Sequence, residues 1–439
     1  MSGIAEVLLD QGYTITGSDL APNAATERLT ALGARCSFGH RPEHVRGVDV
    51  VVTSSAIRPG NPEVDEARRI GTPVIPRAEM LAELMRVKYA IAVGGSHGKT
   101  TTTSLVAAVL EAGELDPTVI VGGCLRQRGS GGRSGRGEFL VAEADESDRS
   151  FLKLSPTVAV VTNVDLEHLD AYEDLEDLQG AFAGFCNRVP FYGAAVLCLD
   201  DPPTRGLLPH LERRLVSYGL SPDADFTAAE VQLGAEASRF VASARGQALG
   251  DVELPVPGRH NVLNALAAIA VGSELGVGFP RIRAGLAGFG GVERRFQRRG
   301  EAGGVLVIDD YGHHPTEIRA VLGTLSLLSE GRRRIVLFQP HRFTRTRALW
   351  SDFCRAFAEA DRVLVTDIYA AGEPPIEGVD AERLAAGIEA GRGEYAGDLK
   401  TARIRLEGSV EPGDVVLTLG AGDVWKVGEE LLAARGASS

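Results

Sequence analysis

The chain has 439 residues, 44% of them hydrophobic and 24% charged, the balance of a soluble globular protein with two to four domains. A formal net charge of −13 argues against nucleic acid or an anionic membrane surface as the main partner, although a local arginine cluster can still hold an anionic substrate. No apolar run approaches the roughly 20 residues that cross a bilayer, the N-terminus has no basic, apolar leader, and five cysteines without a Cys-x-x-Cys pair read as reduced thiols in the cytoplasm.

Residues 1–86 read as short α/β units. Ile4, Val7, Leu8 and Leu9 give a helical apolar face, and 13–17 and 48–53 are buried, β-branched strand candidates. The chain opens directly in a helix, whereas a doubly wound nucleotide-binding unit opens with a strand and a Gly-rich turn. A second domain, 87–290, begins with a strand at 90–93, a glycine-rich loop and a helix from about 100 to 111. Strands are expected at 119–121, 139–142 and 158–162, a small antiparallel sheet over 215–256, and a helix over 262–274. Residues 128–137, rich in Gly, Arg and Ser, read as a mobile loop. In a third domain, 291–439, strands at 305–308, 335–338, 363–367 and 415–419 alternate with helical segments, which implies a parallel sheet.

The loop Gly95-Ser96-His97-Gly98-Lys99-Thr100 lies between an expected strand and an expected helix. Glycines let backbone N–H groups curl round phosphate oxygens, and the helix N-terminus adds partial positive charge. Lys99, read as an exposed loop residue, can reach β- and γ-phosphates, and the Thr100 hydroxyl can ligate Mg²⁺. The usual spacing wants Gly at position 93, which is Val here, so the loop is a shortened one. Alone it is also compatible with a Gly-rich turn that binds nothing.

Acidic residues follow the strand at 139–142, in the run Glu143-Ala144-Asp145-Glu146-Ser147-Asp148, and a polar loop with His168 follows the strand at 158–162. Strand carboxyl ends are where α/β sheets hold ligands, so both are candidate metal sites, against the plainer reading of solvated turns and a structural histidine. Asp309-Asp310-Tyr311-Gly312-His313-His314 and His341-Arg342-Phe343-Thr344-Arg345-Thr346-Arg347 follow two later strands. Three arginines within six residues suit carboxylate or phosphate capture, or a solvated basic turn.

Taken together and in this order, these motifs resemble the Mur ligase family over essentially the whole chain. The resemblance implies a three-domain α/β architecture: an N-terminal Rossmann-like domain lacking its first strand, a central P-loop ATPase domain and a C-terminal Rossmann-like domain. It implies ATP as a substrate and Mg²⁺ as cofactor. Gly95, Ser96, His97, Gly98, Lys99, Thr100 and Thr101 look like the family's phosphate loop, Glu143 and His168 like its metal ligands beside Thr100. His260, Asn261 and Asn264 resemble its adenine-side segment, Arg295 lies in its join to the last domain, and Asp309 or Asp310 would face the ATP ribose. The segments 309–317 and 338–347 resemble the branch that joins L-alanine to UDP-N-acetylmuramate through an acyl phosphate; residues 173–186 contain no lysine, which fits that branch.

By the same resemblance, Tyr311, His313, Arg342 and Arg345 would face the muramate carboxylate and the amino acid, with Lys99, His313, Arg342 and Arg345 taking part in the chemistry. Ser18 and Asp19 would remain from the UDP-sugar site. Family members begin with a strand and a Gly-rich turn ahead of a segment like 1–5, so a misassigned start or a fragment lacking roughly ten to twenty residues is expected. A muropeptide-recycling relative and an inactive nucleotide-binding relative are the alternatives; oligomeric state is left open.

Overall fold

The computed structural model describes residues 1–54, 56–125, 130–167, 170–329 and 331–436, with main chain alone at 123–125 and 130. The chain divides into two compact units. The first comprises Met1–Ala229, Phe240–Val252 and Leu263–Gly290; the second comprises Glu230–Arg239, Glu253–Val262 and Gly291–Ser439.

In the first unit, short apolar runs form the middle of a large sheet. Ala90, Ile91, Ala92 and Val93 are all fully buried, as are Ala159, Val160 and Val161. Strands covered on both faces read as continuous apolar runs, and such strands pair in parallel. Tyr89–Gly94 accordingly lies between Val158–Val161 and Phe139–Glu143, parallel to both. Thr118–Leu125 lies beyond Phe139–Glu143, and Ala194–Cys198 lies beyond Val158–Val161. All of these point their carboxyl ends to one side, where the phosphate loop sits.

The region 215–256, expected as a small antiparallel sheet, begins with parallel strands. Leu215–Gly219 pairs in parallel with Ala194–Cys198 and is followed by Phe226–Leu233, also parallel, so these strands extend the same sheet. Four of the five residues in Leu215–Gly219 are buried, the signature of an inner strand, which the Gly and Pro breaks around it obscured. The expected antiparallel part lies in the later strands, where Phe226–Leu233, Ser238–Ala244 and Gln247–Leu254 are sheet neighbours joined in sequence by short links. The two residues linking the last pair, Arg245 and Gly246, have φ of +48° and +78°, as a tight two-residue turn requires.

The N-terminal portion opens with the helix Ser2–Asp10 and holds two separate two-stranded parallel ribbons. One pairs Thr16–Asp19 with Arg35–Phe38, the other Val51–Thr53 with Val74–Pro76. The first strand starts three residues later than expected, because Gly12 turns the chain and Tyr13 stays exposed. Ile4 and Val7 of the helix share an apolar cluster with Leu81 and Met85. The same helix meets the strand Ser130–Arg133 through main chain: a β-carbon at Gly3 would lie 2.7 Å from the Gly131 carbonyl oxygen, and one at Gly132 would lie 2.3 Å from that of Gly3. The expected loop at 128–137 is thus a strand over 130–133, antiparallel to Thr118–Leu125, while 128–129 lie outside the described residues.

The second unit carries a six-stranded sheet in the order Gln297–Ala302, Val305–Asp310, Val415–Leu419, Arg334–Phe338, Arg362–Thr366, Gly393–Gly397. Only the first pair is antiparallel. Gln297–Ala302 and Gly393–Gly397 lack an apolar run and escape a reading by hydropathy. Apolar clusters cover both faces, one including Ile318, Leu322 and Phe353, the other Val427 and Leu431. Cys36, Cys186, Cys198 and Cys354 are free thiols, and the Cys124 side chain lies outside the described residues. Among the described residues no helix is long and apolar enough to cross a membrane.

Candidate functional site

The phosphate loop runs from the strand Tyr89–Gly94 into the helix Lys99–Ala112. Its glycines are required by geometry. Gly95 has φ of +128°, and a β-carbon there would lie 2.0 Å from Thr162 Oγ1; Gly98, the helix N-cap, has φ of +79°, and a β-carbon there would lie 2.8 Å from Asn264 Oδ1. The neighbouring strand end fixes the loop. Ser96 Oγ donates to the Asp165 carbonyl and accepts from its N–H, the His97 N–H donates to Asn163 Oδ1, and the His97 ring lies 2.9 Å from Asp165 Oδ2.

Lys99 is not the exposed loop residue its sequence context suggested. Its ammonium donates to the carbonyls of Gly95 and Ser96, at 2.7 and 3.1 Å, and to Glu146 at 2.9 Å. Burial works against its charge, but Glu146, Glu143 and Asp145 outweigh burial and hold its proton more firmly than in an ordinary lysine. Thr100 Oγ1 lies 3.1 and 3.2 Å from the two oxygens of Glu143, which also accepts the Gly122 N–H at 2.7 Å. Thr101 is buried beside it. Asn264 Oδ1 accepts from Thr102 Oγ1 at 3.1 Å, which ties the helix after Arg259 to the phosphate-loop helix. The hydroxyl and carboxylate of Thr100 and Glu143 are hard oxygen donors at a strand end, a set that suits Mg²⁺. His168 lies outside the described residues.

In the N-terminal portion, Ser18 and Asp19 end the strand Thr16–Asp19. Ser18 Oγ donates to Glu63 at 2.6 Å, and Asp19 accepts from Asn23 Nδ2 and the Leu20 N–H.

In the second unit, Asp309 and Asp310 close the strand Val305–Asp310 and are both buried. Asp309 accepts from Arg294, Arg299 and Thr418, and Asp310 accepts the N–H groups of Phe296 and Gly312. Burial pushes the Asp310 carboxyl up to about 6, against the pull of Arg295 and those two N–H groups. Their oxygens are therefore committed within the unit. Arg295 pairs with Glu317 at 3.1 Å, and the guanidiniums of Arg294 and Arg295 lie 5.1 and 5.4 Å from the Tyr311 ring. Asn261 Nδ2 donates to the Pro257 carbonyl, and burial, with Arg295 nearby, pushes the His260 imidazole down to about 4.

The rings of Tyr311, His313, His341 and Tyr369 form a continuous row, with centroids 5.4 to 5.6 Å apart. Arg345 donates to His341 Nδ1 and to the His341 carbonyl. A nitrogen facing a guanidinium N–H must be an acceptor, so His341 is neutral with its proton on Nε2. Burial, then His313, Arg345 and Arg342, push it down to about 3. Arg342 has φ of +71°, and its Nε donates to Glu373, which also accepts the N–H and hydroxyl of Thr344. Tyr311, His313, Arg342 and Arg345 are therefore gathered at the carboxyl ends of two parallel strands, as their sequence positions suggested.

Sequence reasoning passed over Glu146, Glu373, Tyr369 and the group of His40, His44 and Glu63. Glu146 stood in an acidic run already singled out; Glu373 carries no local motif and is brought to Arg342 only by the fold.

Three family descriptions match the chain in order: Mur ligase family, catalytic domain, over residues 1–89; Mur ligase middle domain, over 93–272; and Mur ligase, glutamate ligase domain, over 294–422. The chain belongs to the Mur ligase family. The UDP-N-acetylmuramate–L-alanine ligase of Geobacter sp. (strain M21) is 55% identical over 435 residues, 98% of this chain and 94% of that protein. That of Sorangium cellulosum is 57% identical over 429 residues, 97% and 92% of the two chains. The crystal structure of the UDP-N-acetylmuramate-alanine ligase of Thermotoga maritima superposes with a TM-score of 0.83 at 29% identity, covering 100% of this chain and 97% of that one. The Mur ligase architecture, with N-terminal, middle and C-terminal parts, is thus the architecture of this chain.

Proposed function

We propose that the chain joins L-alanine to the lactyl carboxylate of UDP-N-acetylmuramate in the cytoplasm, converting ATP to ADP and phosphate. The observation that carries this reading is the loop Gly95–Thr100, with a charged lysine and two buried-side carboxylates at its rim, in a chain 52 to 57% identical to ligases of that name. The functional parts are 1–86 for the UDP-sugar, 87–290 for ATP and 291–439 for the amino acid.

A lactyl carboxylate oxygen attacks the γ-phosphorus, the bond to the β-phosphate oxygen breaks, and ADP leaves. The alanine amine then attacks the acyl-phosphate carbon, loses a proton, and phosphate departs. Attack of one anion on another is opposed by repulsion, and Lys99 offsets it by exchanging its contact with Glu146 for phosphate oxygens. Thr100 and Glu143 would hold Mg²⁺, which when bound would neutralise phosphate charge. Arg342 and Arg345 take carboxylates through paired donors, Arg342 steadied by Glu373 and Arg345 by His341. His313, whose Nδ1 faces the Tyr311 carbonyl at 3.1 Å, orients the reacting groups.

The test is phosphate release from ATP with each substrate alone and with both. Release that needs both UDP-N-acetylmuramate and L-alanine supports the reading. Release with a muropeptide in place of alanine assigns the recycling reaction, and no release with either pair overturns ligase activity. A murein peptide ligase from Psychrobacter arcticus matches with a TM-score of 0.74 at 22% identity, a likeness of fold alone.

A further inference from the structure

The N-terminal portion contains a polar group that no step above uses. Glu63 stands in the first turn of the helix Pro62–Ile70 and is nine-tenths buried. Its Oε2 accepts from Ser18 Oγ at 2.6 Å and lies 3.1 Å from His40 Nδ1. Its Oε1 lies 2.7 Å from His44 Nδ1 and 3.4 Å from the Arg41 N–H. A carboxylate has about four acceptor positions, and all four are taken. Burial raises this carboxyl, but Ser18, His44, the Arg41 N–H and His40 together outweigh burial and hold it below the ordinary glutamate range.

The proton positions follow from counting. Ser18 has one hydroxyl proton, and it goes to Glu63. His40 Nδ1 lies 2.9 Å from Ser18 Oγ and 3.1 Å from Glu63, so it faces two acceptors and must carry a proton. His44 Nδ1 faces a carboxylate oxygen and must carry one too. In a neutral imidazole one nitrogen donates and the other accepts. With both Nδ1 atoms committed, each Nε2 presents a lone pair, and neither has a partner among the described residues. Both rings are partly exposed, at 19% and 23% of the side chain. His40 follows the strand Arg35–Phe38, and Ser18 ends the parallel strand beside it, so the group sits at strand carboxyl ends, where α/β sheets bind ligands.

We propose that Glu63 is a positioning residue that locks His40 and His44 as Nδ1–H tautomers, so that their Nε2 lone pairs accept from the hydroxyl and imide N–H groups at the nucleoside end of the UDP-sugar. The proposal rests on the substrate reading above. Two lone pairs repel the oxygens of a diphosphate and attract donors. Uridine offers three such donors, two ribose hydroxyls and the uracil N3–H, and Asp19 on the same strand end adds further acceptor oxygens.

The test uses the whole chain, with uridine diphosphate and inorganic diphosphate as probes. Imidazole nitrogen shifts of the ligand-free protein should show both rings protonated at Nδ1, and uridine diphosphate should move the two Nε2 resonances. Glu63→Gln, whose amide cannot accept on both sides, should bind uridine diphosphate about tenfold more weakly, the loss of one ordinary hydrogen bond. Its KM for UDP-N-acetylmuramate should rise by the same factor while KM for ATP stays at the wild-type value. Nε2–H tautomers in the wild type, Nε2 resonances unmoved by uridine diphosphate, or equal affinity in Glu63→Gln overturns the proposal. Should the wild type bind uridine diphosphate in this manner yet fail to ligate alanine, the reaction assigned above falls and the tautomer lock stands; should it ligate alanine with the Nε2 resonances unmoved, the reverse holds.

Discussion

The ammonium of Lys99 lies 2.9 Å from both oxygens of Glu146, a residue with 1% of its surface exposed. Removing one member of a buried ion pair leaves the other uncompensated, which costs about 3–5 kcal/mol.

Lys99→Ala should therefore lose turnover by about 10³ or more, the scale for deleting a preorganised charge at a transition state. It should also lose stability, where an exposed lysine would have lost none. Adding Glu146→Gln to Lys99→Ala should restore most of the stability and none of the turnover. Urea unfolding of both variants, beside phosphate release, checks this; a single variant as stable as the wild type contradicts it.

Glu143→Gln and Thr100→Ala should each raise the Mg²⁺ concentration for half-maximal rate by about tenfold or more, in the range seen when support of a metal site is removed. Mn²⁺ should recover part of the rate, since it tolerates weaker oxygen sets and accepts nitrogen donors. A metal titration of the initial rate decides, and an unchanged requirement in both variants removes these residues from the metal site.

Glu373 holds Arg342 in place from outside any motif. Glu373→Gln should raise KM for alanine about tenfold, the worth of one charge-assisted hydrogen bond in positioning, and leave nucleotide affinity alone. Arg342→Ala should do the same more severely, and Arg342→Lys should not rescue it. Steady-state kinetics in alanine beside ATP titration measures both effects, and equal losses for ATP would move the arginine to the nucleotide.

The parts legible in the sequence were those where one segment carries both the element and the chemistry. Gly95–Thr100 announced itself because strand, glycines and lysine are contiguous. Arg342 and Arg345 stood out because a strand ends just before them. What escaped was pairing at a distance. Glu63 lies 45 residues from Ser18 and meets it only because two strand ends and a helix start converge. The same limit applies to Gly393–Gly397, whose strand is made by its parallel neighbour and not by its own hydropathy.

His341 should stay neutral to low pH. Its folded-state value of about 3 lies below the ordinary imidazole value of about 6.5. Between these values the unfolded chain binds the proton and the folded chain does not, so stability from this group is full above about pH 6.5 and drains as pH falls toward 3. Relative to His341→Gln, the wild type should lose stability over that window. The His341 carbon resonance should show no titration above about pH 4; a midpoint near 6.5 would refute the assignment.

Gly3 and Gly132 touch through main chain alone. Joints made of side chains can drift over generations, because a larger group on one side is balanced by a smaller one opposite. A seam with no side chains has no volume to trade. In a saturation library covering both codons, single replacements should vanish from the surviving pool, and no second replacement at the partner codon should bring them back, so this seam is a fixed point around which the rest of the helix and hairpin can vary.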